Sequence, residues 1–328
     1  MRSPIIAAGV FFGAAGTVAA QEPPTLTVYT YDSFVTEWGP GPAVEAGFEE
    51  ACGCDLRFVS AGDGAALLAR LRLEGAGGNA DVVLGLDTNL VAAATQTGLF
   101  APHGVAAAYD LPVAWDDPLF VPFDWGYFAF VHEAGFEAPG SFEELAESDA
   151  RIIIQDPRSS TPGLGLLMWV KSAYGEEAGA MWEALSDNIV TVTSGWSEAY
   201  GLFLEGEADM VLSYTTSPAY HLIAENDPSK SAAAFSEGHY LQVEVAAMLA
   251  GSDAPELARQ FLEYVVSEPF QSVIPTTNWM YPAVIPEAGL PDGFETLTVP
   301  DRALLFSPQE AAAVRAAALE EWRSALSR

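Results

Sequence analysis

Two similar halves of the chain are separated by the stretch FVPFDWGYFAFV at residues 120–131. This stretch is dense in aromatic side chains and too long for one simple strand, so we expect it to cross from one lobe of the protein to a second lobe. The stretch YLQVEV at residues 240–245 is interpreted as the return crossing. Two crossings predict two lobes on a hinge, with one of the lobes discontinuous in sequence.

The chain before the first crossing predicts strands and helices in alternation. Strands are predicted at residues 26–31, 56–60 and 81–86, and helices at residues 43–51, 64–73 and 89–97. Within the second of these helices, Leu67, Leu68 and Leu71 have the spacing of a buried stripe. Residues 81–86 are apolar enough for a central strand of a parallel sheet. The alternation is typical of an open parallel sheet with helices on both faces.

The chain between the two crossings repeats this pattern. Strands are predicted at residues 152–154, 189–193 and 210–213, and helices at residues 163–174, 196–204 and 218–225. After the return crossing, Pro255 predicts the first turn of a helix. The sequence SPQE at residues 307–310 is a capping box that predicts a final helix to about Leu326. The fold class predicted from these elements is α/β, with two lobes.

The composition excludes several classes of protein. With 13 Lys and Arg against 45 Asp and Glu, the 328-residue chain has a formal net charge of −32 at pH 7. This charge excludes nucleic acid as an expected partner. The 8 Trp, 11 Tyr and 18 Phe exclude an acidic disordered chain. Neither lysine, Lys171 or Lys230, follows a glycine, which excludes a phosphate-binding loop that ends in Gly-Lys-Ser/Thr.

The N-terminus has the pattern of a secretory signal peptide. Arg2 gives it a positive start, residues 4–16 are apolar and uncharged, and small residues follow at 18–20. We expect cleavage after about Ala20, which predicts an exported protein. A membrane anchor is the alternative, but an anchor needs about 20 apolar residues, and this stretch is shorter.

The two cysteines of the sequence are Cys52 and Cys54. In an oxidising compartment they can close a very small disulfide ring, although a pair with this spacing is usually strained. Metal binding is the alternative, and it is weak because two thiolates without an adjacent histidine are an incomplete ligand set. The sequence leaves this choice open.

Ligands of an open parallel sheet bind beyond the carboxyl ends of its strands. In the first half these ends carry acidic and aromatic residues, and in the second half they carry hydroxyl groups that lead into helix N-termini. Ser160 and Thr161 would present hydroxyl and backbone N–H groups to an anion, and Asp63 and Gly64 open another predicted helix. Each pattern alone fits ordinary helix capping, but their coincidence in both halves favours a ligand site.

Aromatic residues in predicted loops or at element ends favour a flat or cationic ligand. They are Tyr31, Trp38, Trp196, Tyr214, Tyr220 and Trp279. A cation over such a ring gains about 0.5–2 kcal/mol. Packing in the core is the alternative role for each of them.

Enzyme motifs in the sequence are incomplete. GWSEA at residues 195–199 resembles the nucleophile elbow of hydrolases, but it lacks the last glycine and no histidine is marked as a partner of Ser197. GLGLLM at residues 163–168 lacks the third glycine of a dinucleotide-binding fingerprint. We predict a binding protein without catalytic residues, cofactor or metal, and keep a secreted serine hydrolase that uses Ser197 as a remote alternative.

Nine blocks of the sequence resemble the bacterial periplasmic thiamine-binding proteins. They are TVYTYDSF (27–34), WGPGP (38–42), ADVVLGLD (80–87), QDPR (155–158), STPGLG (160–165), GWSEAYG (195–201), YTTSPAY (214–220), FSEGHY (235–240) and NWMYP (278–282). The resemblance covers nearly the whole chain after the signal peptide. A receptor of the same fold for ferric ion or a polyamine is the alternative, but ferric receptors resemble one another in an adjacent Tyr-Tyr pair, which this chain lacks.

The resemblance implies a type II periplasmic binding-protein fold, whose lobes close on thiamine, thiamine monophosphate or thiamine diphosphate. It implies a lobe I made of residues 21–122 and 244–328, which include the C-terminal helices, and a lobe II made of residues 123–243. The protein, expected to be monomeric, would deliver its ligand to an inner-membrane ABC permease with a cytoplasmic ATPase.

The resemblance also implies which residues contact the ligand. At the hydroxyethyl or phosphate end it implies Asp63, Gly64, Ser160, Thr161, Trp196, Tyr214, Thr215, Thr216 and Ser217. Along the ring system it implies Tyr31, Trp38, Tyr220, Asn278 and Trp279. The preferred phosphorylation state of the ligand stays open.

Overall fold

The computed structural model describes residues 23–327, so the predicted signal peptide at residues 1–20 lies outside the described residues. The strands are β1 (Thr25–Thr30), β2 (Asp55–Ser60), β3 (Val82–Asp87), β4 (Val121–Glu133), β5 (Ile152–Gln155), β6 (Ile189–Thr193), β7 (Met210–Tyr214), β8 (Lys230–Ala232), β9 (His239–Met248), β10 (Tyr281–Pro282) and β11 (Ala303–Leu304). The helices are α1 (Gly41–Cys52), α2 (Gly64–Glu74), α3 (Val91–Thr95), α4 (Phe142–Glu147), α5 (Thr161–Tyr174), α6 (Ala178–Leu185), α7 (Trp196–Leu204), α8 (Pro255–Val265), α9 (Glu268–Gln271) and α10 (Pro308–Leu326). Among residues 23–327, no helix has both the length and the apolar character needed to cross a membrane.

The main strands lie in the order β2-β1-β3-β9-β4-β7-β5-β6. β1 pairs in parallel with β2 and β3, and β5 pairs in parallel with β6 and β7. The pairings that join these two groups are antiparallel, and each of them involves β4 or β9. Each half of the chain therefore contributes a parallel group of three strands, as predicted.

β4 and β9 are the two predicted crossings between the groups. β4 is one continuous strand of 13 residues, although the sequence suggested a stretch too long for one strand. Residues 121–127 pair with β9, and residues 128–132 pair with β7. The strand is long because it changes its partner where it passes from one parallel group to the other.

The aromatic residues of β4 divide between two hydrophobic cores. Phe123 packs edge-on against Phe270, in the core that also contains residues of β1, α1 and α8. Phe130 stacks on Trp169 of α5 in the second core. All four side chains are fully buried. The aromatic density of this stretch is therefore explained by burial on both sides of the hinge.

The last helix packs mainly against the second half of the chain. α10 begins with the predicted capping box, in which Ser307 and Glu310 each accept a backbone N–H of the other. It then lies on α5 and α6 and also contacts α3, with Lys171 Nζ 2.7 Å from Glu321 Oε1. The prediction grouped this helix with lobe I, but its buried face covers helices of the second half. The remaining lobe boundaries stay a prediction.

Two predicted helices are shorter or of another type in the structure. The helix expected at 89–97 is reduced to α3, because the backbone N–H and the side chain of Asn89 both donate to the carboxylate of Asp87 and form a turn. The helix expected at 218–225 is a short π-helix, Tyr220–Ala224.

Cys52 and Cys54 are joined by a disulfide bond. The bond lies where α1 ends and the chain turns into β2. Of the two uses that the sequence left open, the structure therefore has the disulfide, and these thiols are not available to a metal.

Candidate functional site

A cleft with a volume of about 320 Å³ lies between the two parallel groups of strands. One wall follows the ends of β1 and β2, and the opposite wall is formed by the N-termini of α5 and α7. Ten of the fourteen predicted binding residues line the cleft: Tyr31, Trp38, Asp63, Thr161, Trp196, Tyr214, Ser217, Tyr220, Asn278 and Trp279. The carboxyl ends of the strands thus meet at one site, as expected for this type of sheet.

Asp63 connects the two walls of the cleft. Its Oδ2 atom accepts a hydrogen bond from Ser160 Oγ at 2.8 Å and one from the backbone N–H of Trp196 at 3.2 Å. The next residue, Gly64, donates its backbone N–H to Thr161 Oγ1 at 3.0 Å. A Cβ at Gly64 would lie only 2.7 Å from that hydroxyl oxygen, so this approach requires glycine. Ser160 and Gly64 therefore support the cleft without lining it.

The carboxylate of Asp63 occupies the positive ends of two helices. Burial raises its pKa to about 6, although the hydrogen bonds from Ser160 and Trp196 act in the opposite direction. The negative charge of Asp32 raises this pKa further. Helix N-termini attract anions, so Asp63 stands where the anionic end of a ligand would also be favoured.

Thr215 and Thr216 lie behind the cleft rather than in its wall. Both are fully buried. The hydroxyl of Thr216 contacts Met280 Sδ at 3.6 Å, whereas the hydroxyl of Thr215 has no hydrogen-bond partner among the described residues. Of the predicted loop, Tyr214 and Ser217 reach the cleft, because β7 ends there and the chain turns away from it between these two residues.

Among the described residues, seven aromatic side chains line the cleft. Trp38 and Trp196 approach each other from opposite walls, with their ring centroids 6.3 Å apart. Trp196 stacks on Tyr200 at 5.1 Å, and Tyr220 meets Trp279 edge-on at 5.5 Å. Trp38 is half exposed at the mouth. These rings offer faces and edges to a flat ligand.

Trp279 has a strained backbone. Its φ of 57° places it in the left-handed region, where few residues other than glycine are found. It ends the π-helix Ile274–Asn278, whose last side chain donates to Asp124 Oδ2 at 2.6 Å and to the Tyr31 hydroxyl at 2.9 Å. Strain that is held in place in this way is typical of residues that must present a side chain to a ligand.

The floor of the cleft contains two carboxyl groups that the sequence analysis missed. Glu244 of β9 lines the cleft, and Asp124 lies directly opposite it on β4. They are 5% and 0% exposed. Burial raises the pKa of Asp124 to about 8, and burial together with the charge of Asp124 raises the pKa of Glu244 well above its usual range.

A sequence signal for these two residues was present. Each is an acid in the middle of a predicted crossing strand, FVPFDWGYFAFV and YLQVEV, whose other residues suggest burial. A buried carboxyl group is costly unless it is paired, so an acid at such a position indicates a special role. Ser33, Thr277 and Met280 also line the cleft, and no comparable signal distinguishes them.

Cationic side chains are absent from the described lining of the cleft, which contains no Lys, Arg or His. A phosphate group in it would therefore be held by hydroxyl and backbone N–H groups rather than by an ion pair. Ser197 lines the cleft, but no described lining residue could act as its histidine base. This weakens the hydrolase alternative.

One group of described residues has the geometry of metal ligands. Candidate ligand atoms of His221, Glu225 and Asp227 lie within 4.8 Å of one another. Both ring nitrogens of His221 are already engaged, one with Glu225 Oε2 at 2.7 Å and the other with the Tyr200 hydroxyl at 3.0 Å. The group therefore serves to position Tyr200 beside the cleft.

Comparisons with known proteins agree with this geometry. Residues 31–272 match the family of bacterial extracellular solute-binding proteins. The chain is 57% identical over 310 residues to the thiamine-binding periplasmic protein of Escherichia coli (strain K12), and the match covers 93% of this chain and 94% of the relative.

Solved structures are similar as well. A structure described as a periplasmic thiamin binding protein superposes with a TM-score of 0.91 at 55% identity, and the match covers 96% of this chain and 100% of that one. Iron-bound HitA from Pseudomonas aeruginosa has a TM-score of 0.73 at 20% identity over 92% and 99% of the two chains, which shows a shared fold alone. The predicted two-lobe type II fold is confirmed by these similarities.

Proposed function

This chain belongs to the bacterial extracellular solute-binding proteins and, among them, to the thiamine-binding periplasmic proteins, and we propose on that basis that its cleft captures thiamine and its phosphate esters in the periplasm. The loaded protein delivers its ligand to an inner-membrane ABC permease that a cytoplasmic ATPase drives. The family consists of binding proteins, which supports binding without turnover.

The observation that carries this proposal is the combination of facing aromatic rings with a carboxyl floor in one cleft. Thiamine has a flat aminopyrimidine ring, which Tyr220 and Trp279 can hold by stacking or edge contacts. Its thiazolium ring carries a permanent positive charge, which favours the faces of Trp38 and Trp196 and the nearby Glu244.

The remaining end of thiamine is a hydroxyethyl group, which the esters carry as a phosphate. The wall made by the N-termini of α5 and α7 suits this end, because the Thr161 hydroxyl lines the cleft there and Ser217 adds a second hydroxyl just after β7. The thiamine head is thus directed toward the rings and the floor, and the tail toward the helix N-termini.

Ferric ion fits the site less well than an organic cation. Iron receptors need ionised phenol or carboxylate oxygens as hard ligands. Burial raises the pKa values of Tyr31 and Tyr214 well above the usual value for a phenol, which makes the ionised form that iron needs more costly to reach. The sequence also lacks an adjacent Tyr-Tyr pair.

Calorimetric titration of the purified exported chain with thiamine, thiamine monophosphate and thiamine diphosphate tests the proposal. We expect saturable one-to-one binding in the micromolar range or tighter, which corresponds to about −8 kcal/mol or more favourable. Absence of heat and of a thermal shift with all three ligands would overturn the proposal, and titrations with ferric ion and a polyamine would follow.

The Trp279→Ala variant tests the ring contact separately. We expect a loss of affinity for thiamine of about tenfold, because one stacked contact is removed. Trp115→Ala is the control, since Trp115 donates to the Phe120 carbonyl outside the cleft. Ligand-induced quenching of tryptophan fluorescence gives both affinities, and equal affinities in the two variants would remove Trp279 from the site.

A further inference from the structure

Three carboxyl side chains form a row across three adjacent strands of the hinge. Glu244 of β9 pairs in register with Asp87 of β3 on one side and with Asp124 of β4 on the other. Residues directly opposite each other on antiparallel strands point to the same face, and like charges in such pairs are destabilising. All three are buried. The row is therefore unfavourable unless something compensates its charge.

Asp87, at one end of the row, has the clearest compensation. Burial raises its pKa to about 6, but the hydrogen bonds that its carboxylate accepts from the backbone and the side chain of Asn89 and the charge of Arg315 act in the opposite direction. Asp124, in contrast, has Asn278 on Oδ2, and its Oδ1 atom is buried with no hydrogen-bond partner among the described residues. Asp124 and Glu244 have hydrogen bonds from Asn278 and Tyr31 but are the less compensated pair.

The groups that face this pair are acids or phenols. They come from the end of β1, from β3, from the residue before α2 and from the end of β7: Tyr31, Asp87, Asp63 and Tyr214. The main influences on the pKa values of the pair are burial, neighbouring acids and hydrogen bonds, and none of these is a positive charge. Glu244 reaches the cleft directly, so a bound ligand can supply the missing positive charge.

We propose that the Asp124–Glu244 pair holds at least one proton while the cleft is empty and releases one when a ligand with a fixed positive charge binds, so that thiamine capture is coupled to proton release. This inference rests on the proposed function of the cleft. In this inference, Glu244 and Asp124 recognise the positive charge of the ligand. The aromatic rings alone would bind that charge only weakly.

The proton balance of this step is simple. In the empty cleft the two buried carboxyls together keep at least one proton, because burial disfavours their charged forms and two ionised carboxyls side by side repel each other. When the thiazolium approaches, the O–H bond breaks, its electron pair stays on the carboxyl oxygen, and the proton passes to water. Thiazolium cannot lose its own charge by deprotonation, so the pair is the group that must adjust.

The direction of the pH dependence follows from the same step. A bound cation lowers the pKa values of the pair, which are raised in the empty protein. Thiamine affinity should therefore rise with pH from about 5 to 8, by at most about tenfold per pH unit for one linked proton. Acidification would favour release of the ligand.

The test is calorimetry with thiamine at pH 7 in phosphate and in Tris, whose ionisation heats differ. The difference between the two heats gives the number of protons released, and we expect about one per thiamine for the unmodified protein. In the double variant Glu244→Gln/Asp124→Asn, release should fall to near zero and affinity should drop about tenfold, because a single variant would leave one buried carboxyl with a raised pKa. Glu45→Gln, an exposed change on α1, should behave like the unmodified protein.

The outcomes separate this inference from the proposed function. Tight thiamine binding without proton release, or proton release that persists in the double variant, would overturn the inference and leave the thiamine receptor intact. Absence of thiamine binding by the unmodified protein would instead overturn the proposed function. Thermal unfolding verifies that the variants fold, and we expect each to be at least as stable as the parent, since a buried repulsion is removed.

Discussion

Two acidic regions of the same cleft differ in what surrounds them. Asp63 lies between the N-termini of α5 and α7 and accepts hydrogen bonds from Ser160 and Trp196. Asp124 and Glu244 lie on the hinge strands among other acids and phenols, and one oxygen of Asp124 has no hydrogen-bond partner among the described residues. The protein therefore stabilises the carboxylate of Asp63 with hydrogen bonds, whereas Asp124 and Glu244 lack comparable stabilisation of their negative charge until a ligand binds.

This difference assigns different tasks to the two regions. The carboxylate of Asp63 already occupies the place where the tail of a ligand would find hydrogen-bond donors. It therefore affects the relative affinity for ligands with a neutral and with an anionic tail. The hinge pair meets the cationic rings, so it acts on the affinity for every form of thiamine. Variants of the two regions should separate these effects.

The largest expected effect is on the selectivity between thiamine monophosphate and thiamine. Asp63→Asn removes the negative charge in front of two helix N-termini while it keeps an acceptor for Ser160 Oγ. We expect the affinity for thiamine monophosphate, relative to thiamine, to rise about tenfold, because a phosphate no longer meets a like charge. Calorimetric titration with both ligands at pH 7.5 measures this ratio.

Glu244→Gln is the matched comparison for that ratio. It should weaken the binding of both ligands while it leaves their ratio unchanged, because both carry the same thiazolium. At pH 5 the effect of Asp63→Asn should shrink, since Asp63 has a pKa of about 6 and is then largely protonated in the parent. If the affinity for thiamine monophosphate relative to thiamine changed in Glu244→Gln but not in Asp63→Asn, the tasks assigned to the two regions would be reversed.

A smaller effect is expected on the pH dependence of stability in the empty protein. A carboxyl whose pKa is raised on folding keeps its proton in the native state while the unfolded chain releases it, so stability falls as pH rises between the two values. The unfolded value is about 4. For Asp63 the fall lies between about pH 4 and 6, and for Asp124 it continues to about pH 8.

Replacing either carboxyl group should remove the decrease in stability that this group causes as the pH rises. Asp124→Asn should flatten the melting temperature between pH 6 and 8, and Asp63→Asn should act only below about pH 6. The expected change is about 2 °C per pH unit, since one linked proton contributes at most about 1.4 kcal/mol per unit. Differential scanning calorimetry across the range measures it, and parallel curves for parent and variants would contradict it.

The smallest effect is expected from the disulfide. Replacing both Cys52 and Cys54 with serine removes a bond between residues separated by only 2 positions in sequence. Such a short ring restricts the unfolded chain little, so we expect a loss of at most about 1.5 kcal/mol. Neither cysteine lines the cleft, so thiamine affinity should not change. A clear loss of affinity in this variant would show that α1 acts on the cleft.

Several elements could be predicted because local rules determine them. The SPQE capping box fixes the start of α10, since its hydrogen bonds lie within one helical turn. The bounds predicted for β6 and α7 agree with the structure because each element follows its own periodicity and turn residues. The ten predicted residues that line the cleft follow from their position after strand ends and from the family resemblance.

Other features depend on contacts between distant parts of the chain. The packing of α10 on α5 and α6 is decided by which apolar surfaces remain uncovered, and a helical stripe is equally suited to either lobe. The exclusion of Thr215 and Thr216 from the cleft wall depends on where β7 ends and how the chain turns after it. Periodicity carries no information on these choices.

The sequence by itself determined the alternation of strands and helices, the two crossings and the aromatic character of the ligand site, because these depend on the pattern of residues along the chain. Only the tertiary structure decided that Asp87, Glu244 and Asp124 stand side by side. These three residues come from separate parts of the sequence, and the register between β3, β9 and β4 brings their charges together. The energy of a buried carboxyl group depends on such neighbours, so its role could be read only after the strands were paired.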